Sequence, residues 1–80
     1  MIERAVTISH MLDARQAAFF VQTAGKFESK IEVSVNEKKI NAKSIMGTIS
    51  LGMSEGQVAH IFAEGKDEAD AVKELSKILE

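Results

Sequence analysis

The sequence predicts an α+β fold, an open-faced sandwich in which a largely antiparallel sheet of four strands carries three helices on one face. Three observations lead there. Over 80 residues the apolar spacing switches between a period of two and a period near 3.6, in the order β-α-β-β-α-β-α. Two of the period-two segments are separated only by a short polar turn, which makes a hairpin and so an antiparallel pair. Strands interrupted by helices, with one tight hairpin among them, favour helices gathered on one side of the sheet.

Each element has its own signal. Residues 2–9 (IERAVTIS) put Ile2, Val6 and Ile8 on one side of a strand. From Ala14 the period changes, and Ala14, Ala17, Ala18, Val21 and Ala24 follow the spacing of an amphipathic helix that fades near Gly25–Phe27. Ile31, Val33 and Val35 alternate again, and the polar run NEKK turns the chain into a short strand around Ile40. SIMGTISLG, opened by Ser44, reads as a short helix ended by Gly52. Residues 57–64 (QVAHIFAE) form a further strand, with Ala59, Ile61 and Ala63 on one face and Val58, His60 and Phe62 on the other. Asp67 is the expected cap of a last helix whose apolar stripe is Ala71, Val72, Leu75, Ile78 and Leu79. No repeat, linker or low-complexity tract interrupts them, so residues 1–80 read as one domain.

Composition narrows the function. A domain of this size buries only about 60% of its unfolded surface, so a deep substrate cavity is not expected and function belongs on the outer surface. The apolar share of 45% suits a folded chain. A net charge of -2 gives no electrostatic footing for nucleic acid or an anionic membrane. The apolar runs are too short to span a bilayer, no secretory signal opens the chain, and the expected location is the cytoplasm. Without cysteine there is no disulfide, thiol catalysis or thiolate metal site. His10 and His60 lie far apart without carboxylates at ligand spacing, which argues against zinc. Neither a Gly-rich phosphate loop nor a hydrolase elbow is present. No cofactor is expected, and the chain reads as a non-enzyme.

The segments VQTAGKFES, KKINAKSIMG, SLG and AEGKDEADAV closely resemble the HPr family, the phosphocarriers of the bacterial sugar phosphotransferase system. The resemblance spans nearly the whole chain, and KSIMG is its most specific element. It implies the same fold: four antiparallel strands with three helices on one face. In that family the phosphoacceptor histidine lies in a Gly-aliphatic-His-Ala-Arg-Pro-Ala motif. The matching residues here are Met11-Leu12-Asp13-Ala14-Arg15-Gln16-Ala17, so glycine, histidine and proline are all replaced. Members that lack the histidine, the Crh (catabolite repression HPr) proteins, are the nearer match in character, although they carry glutamine where this chain has Asp13. The resemblance also makes Ser44 the match of a serine phosphorylated by HPr kinase/phosphorylase. The phosphorylated form would then bind a transcriptional regulator of carbon catabolite control.

Asp13 has three readings. It can cap the helix that follows, with Gln16 completing a capping box. Its carboxylate at the helix end can imitate a phosphorylated acceptor. It can also be an acceptor itself, which would need a metal or lysine to offset the developing charge. Arg15, in the first turn, suits a phosphate or a partner's carboxylate. At about 100° per residue, Ile45, Met46, Ile49 and Met53 share one arc of the short helix, with Leu51 opposite and Thr48 and Ser44 nearby. A two-turn helix on an open sandwich cannot bury both sides. Exposure of the Ile/Met arc would make a partner-binding face, although for Met46 core packing is the expectation. Val58, His60 and Phe62 on an uncovered sheet face would support a homodimer. The rival functions are an atypical phosphocarrier with its acceptor at Asp13 or elsewhere, and a module that binds an enzyme constitutively.

Overall fold

The computed structural model describes residues 1–80. Its elements are β1 (Ile2–Thr7), α1 (Ala14–Gly25), β2 (Lys30–Val35), β3 (Lys38–Asn41), α2 (Ile45–Leu51), β4 (Val58–Glu64) and α3 (Glu68–Leu79). The order matches the expected β-α-β-β-α-β-α. One antiparallel sheet runs β1-β4-β2-β3. Its registers include Val6 opposite Ala59, Ile31 opposite Ala63 and Val33 opposite both Ile61 and Ile40. Because side chains alternate across a strand, this register sends Val6, Ile31, Val33, Val35, Ala59, Ile61 and Ala63 to the same, buried face. The open-faced sandwich is therefore the architecture, with the core between sheet and helices.

The β2–β3 turn is closed by Asn36 and Glu37 alone, with φ of 52° and 70°. Two consecutive left-handed residues match the right-handed twist of the flanking strands. Asparagine accepts that conformation readily, whereas glutamate does so at a cost of about 1 kcal/mol.

Helix α1 is rotated from the expected stripe, of which Ala17 and Ala24 alone are buried. Ala17, Phe20, Thr23 and Ala24 are buried, Ala14 is exposed, and Ala18 and Val21 are only half-buried. Phe20 decides this rotation, because its ring is the bulkiest apolar group available to the core and is fully buried. Thr23 joins it without leaving a polar orphan, since its Oγ1 donates to the Phe19 carbonyl at 2.8 Å.

Asp67 stands at the N-cap of α3 but its side chain makes no cap hydrogen bond, contrary to expectation. The carboxylate reaches back to the segment before β2 instead. Oδ2 accepts from Glu28 N at 2.9 Å, and Oδ1 accepts from Ser29 N at 3.0 Å and Ser29 Oγ at 2.5 Å. The Ser29 hydroxyl, then the Glu28 amide, hold the Asp67 carboxyl below its ordinary range. Glu68 Oε1 accepts from Gly65 N at 3.0 Å, and its other oxygen lies 3.2 Å from the Met1 ammonium. Those two contacts, the amide first, lower its pKa as well. Gly65 has φ of 151°, and a Cβ there would sit 2.7 Å from Ser29 Cα, so only glycine lets the two segments approach this closely.

Candidate functional site

The site is built from the β1–α1 loop, the start of α1 and the whole of α2. Asp13 is extended (φ -78°, ψ -179°), so its carboxylate folds over the first helical turn. Asp13 Oδ1 accepts from Gln16 N at 2.9 Å, and Asp13 N donates to Gln16 Oε1 at 3.3 Å. This reciprocal pair is the expected capping box. It satisfies one of the free amides of the helix end, and it accounts for aspartate at this position without chemistry.

The loop ahead of Asp13 is fastened on both sides. Ser9 N donates to Leu79 O at 2.9 Å, and His10 Nε2 lies 3.2 Å from Ile78 O, at the C-terminal end of α3. Leu12 N donates to Met53 O at 3.1 Å, beyond the end of α2. His10 therefore belongs to the loop's anchorage. Met11, held between these bonds, is 64% exposed.

Arg15 is exposed in the first turn of α1. The ion pairs of the molecule join Met1 to Glu68, Lys39 to Glu32 and His60 to Glu3, so Arg15 has none.

Ser44 caps α2, as expected: its Oγ accepts from Gly47 N at 3.2 Å. Thr48 Oγ1 donates to Ser44 O at 2.9 Å, which settles a buried hydroxyl inside the same turn. Lys43 Nζ donates to Phe27 O at 2.7 Å and ties the approach to α2 onto the end of α1. Gly52 ends the helix in the left-handed region at φ 65°. On the helix surface, Ile45, Met46 and Ile49 are 38%, 72% and 50% exposed, while Thr48 and Leu51 are buried. Met46 is thus a surface residue, against the expectation of core packing, because Leu51 takes the inward side of a helix too short to bury both. Met53 also departs from the expected arc. It lies past the helix end and is buried.

A shallow cleft of about 80 Å³ joins the two halves of the site, lined by Leu12, Asp13, Ala17, Thr48, Ile49 and Gly52 among others. Asp13 and Ile49 meet at this cleft, while Arg15, Ile45 and Met46 are exposed on the two helices it joins, with Ser44 at the start of α2. Met11, which replaces the motif glycine, is exposed in the same loop and does not line the cleft.

Other surfaces are less concentrated. Val58, His60 and Phe62 do lie on the uncovered sheet face. However, the Lys39 ammonium sits 4.3 Å from the centre of the Phe62 ring, and His60 Nδ1 is 3.4 Å from Glu3. Of these three, Val58 makes no such contact and is 46% exposed. Between α1 and α3 runs an open groove of about 330 Å³ lined by Phe19, Thr23, Lys26, Glu74, Lys77 and Ile78. No helix is long and apolar enough to cross a membrane.

Comparison with known proteins gives one consistent family. The model described as PTS HPr component phosphorylation site matches residues 2–80. The HPr-like protein Crh of Halalkalibacterium halodurans is 42% identical over 82 residues, covering 100% of this chain and 98% of that protein. Among solved structures, HPr-C-His from Thermoanaerobacter tengcongensis superposes with a TM-score of 0.93 at 51% identity, over 99% of this chain and 91% of the other. Crh of Bacillus subtilis, solved as a domain-swapped, intertwined dimer, superposes with a TM-score of 0.78 at 40% identity, over 99% and 93%.

Proposed function

The chain belongs to the HPr family, and from that premise we propose that it is a non-enzymatic regulator of the sugar phosphotransferase and carbon catabolite control network, switched by phosphorylation at Ser44. The observation that carries the reading is the Ile45, Met46 and Ile49 face, exposed on the helix that Ser44 opens. Exposed aliphatic and thioether side chains on a short helix gain by being covered, and methionine adapts to varied partners. A phosphoryl group on Ser44 would bring about -1.5 to -2 charges to the edge of that face. The partners this implies are HPr kinase/phosphorylase, which would install the group, and a catabolite-control transcriptional regulator, which would read it. Both act on a cytoplasmic protein. A homodimer is part of the proposal, supported by the dimer formed by the Bacillus subtilis relative.

The position that carries the phosphoacceptor histidine in the family motif is Asp13 in this chain. One of its carboxylate oxygens is engaged in the capping box. That engagement favours the cap over an aspartyl-phosphate carrier, and Arg15 is left as a docking residue.

Incubation with purified HPr kinase/phosphorylase and ATP, followed by mass spectrometry, tests the reading. One phosphate should appear on Ser44 and be lost in Ser44→Ala. Incubation with phosphoenolpyruvate and Enzyme I should leave the protein unlabelled. A hydroxylamine-sensitive label on Asp13 would overturn the regulator in favour of the carrier.

A further inference from the structure

The groove between α1 and α3 continues beyond Lys26 into a second hollow of about 400 Å³, lined by Thr23, Lys26, Phe27, Asp70 and Glu74. Phe19 and Ile78 share one end and Phe27 and Asp70 the other, so the two helices run antiparallel along it. No residue of α2 or of the β1–α1 loop lines it, which separates it from the site around Ser44. Of the four phenylalanines, Phe19 alone is more than half exposed, at 56%. Lys26, Asp70, Glu74 and Lys77 are exposed around it, and none of them enters an ion pair. An aromatic ring among unpaired charges of both signs has the make-up of an interface, an apolar centre with a polar rim.

We propose that this groove is a self-association surface, and that its occupant is the same groove of a second copy of the chain. Two basic and two acidic groups flank it, so a partner of one charge sign would set like charges against two of them. A second copy brings both signs. A two-fold axis along the groove lays α1 of one copy over α3 of the other and keeps each level of the groove in place. Groups that flank the groove within one chain then meet across the interface, each twice: Phe19 on Ile78, and Lys26 opposite Glu74. The rings drive association by leaving water, and the charges fix the register. Because α2 lines no part of the groove, the dimer carries two uncovered copies of the Ile45, Met46 and Ile49 face. The inference rests on the homodimer included in the proposed function, and it names the surface that forms it.

Sedimentation equilibrium of the full chain at low salt tests this, over about 10 µM to about 1 mM, a range suited to a small interface. The native protein should dimerise, and added salt should weaken the dimer. Lys26→Glu and Glu74→Lys set like charges against each other, and Phe19→Asp sets a charge against Ile78. Each should weaken the dimer by about tenfold or more. An equimolar mixture of the Lys26→Glu and Glu74→Lys proteins should dimerise again, because each copy then meets opposite charge at both contacts. Thermal melts of the dilute variants should coincide with the native one, since all three side chains are exposed. A dimer that the charge reversals leave intact would overturn the groove pairing and assign the homodimer to another surface. A monomer throughout the range would overturn both. Loss of the dimer in the single variants without recovery on mixing would also overturn the pairing, because the effect would then lie within one chain.

Discussion

At the scale of single residues, two aspartates at helix starts do different work, and the difference lies in where their partners are. Asp13 finds both of its partners within three residues. Its contribution is that of an exposed cap, so Asp13→Ala should lower the unfolding free energy by about 1 kcal/mol and Asp13→Ser by less. Urea denaturation of the three proteins checks this, and equal midpoints would show that the box contributes nothing. A role so local was legible from the Asp–Gln spacing alone. Asp67 stands at an equivalent place, yet its carboxylate bonds to Glu28 and Ser29, 39 and 38 residues earlier. No spacing rule reaches that far. Only the packing of the α3 start against the segment before β2, made close by Gly65, brings those amides within range.

At the scale of elements, α2 shows what limits a reading by periodicity. The spacing separated Ile45, Met46 and Ile49 from Leu51, though it wrongly added Met53 to the first group, and it could not say which side the sheet would take. Leu51 goes in, and with it Thr48, whose hydroxyl is already satisfied by the Ser44 carbonyl. In α1 the alanine-based stripe held only at Ala17 and Ala24 for a related reason: alanines mark a helix but orient it weakly, and the single Phe20 outweighs them. The division of α2 has a measurable counterpart. Leu51→Ala should cost about 2–4 kcal/mol, since it opens a cavity under the helix, whereas Ile49→Lys should stay within about 0.5 kcal/mol. Chemical denaturation distinguishes them, and a large loss for Ile49→Lys would mean that the exposed face is in fact core. The strands gave less trouble. Ile31, Val33 and Val35, and Ala59, Ile61 and Ala63, can meet the helices on only one face, so their alternation already contained the answer.

At the scale of the whole molecule, Asp67 and Glu68 fasten the start of α3 to three places: the segment before β2, the turn at Gly65 and the N-terminal ammonium. Both carboxyls are held below their ordinary values of 3.8 and 4.5. The folded chain therefore binds fewer protons than the unfolded chain as these groups titrate. Their stabilisation is complete above the ordinary values and is lost as pH falls through the lower folded ones. The urea midpoint should decline below about pH 4.5 in the native protein, and the decline should be shallower in the Asp67→Asn, Glu68→Gln double variant. Identical slopes would place the acid sensitivity elsewhere. The strand order carries a consequence for synthesis. β1, made before the other strands of its sheet, hydrogen-bonds along its length only to β4, residues 58–64. It must remain without a partner until β4 has been made. β2 can close its hairpin with β3 early, but its other edge also waits for β4. Translation thus delivers a hairpin and nascent helices first, and the sheet is completed when β4 arrives between two strands already made.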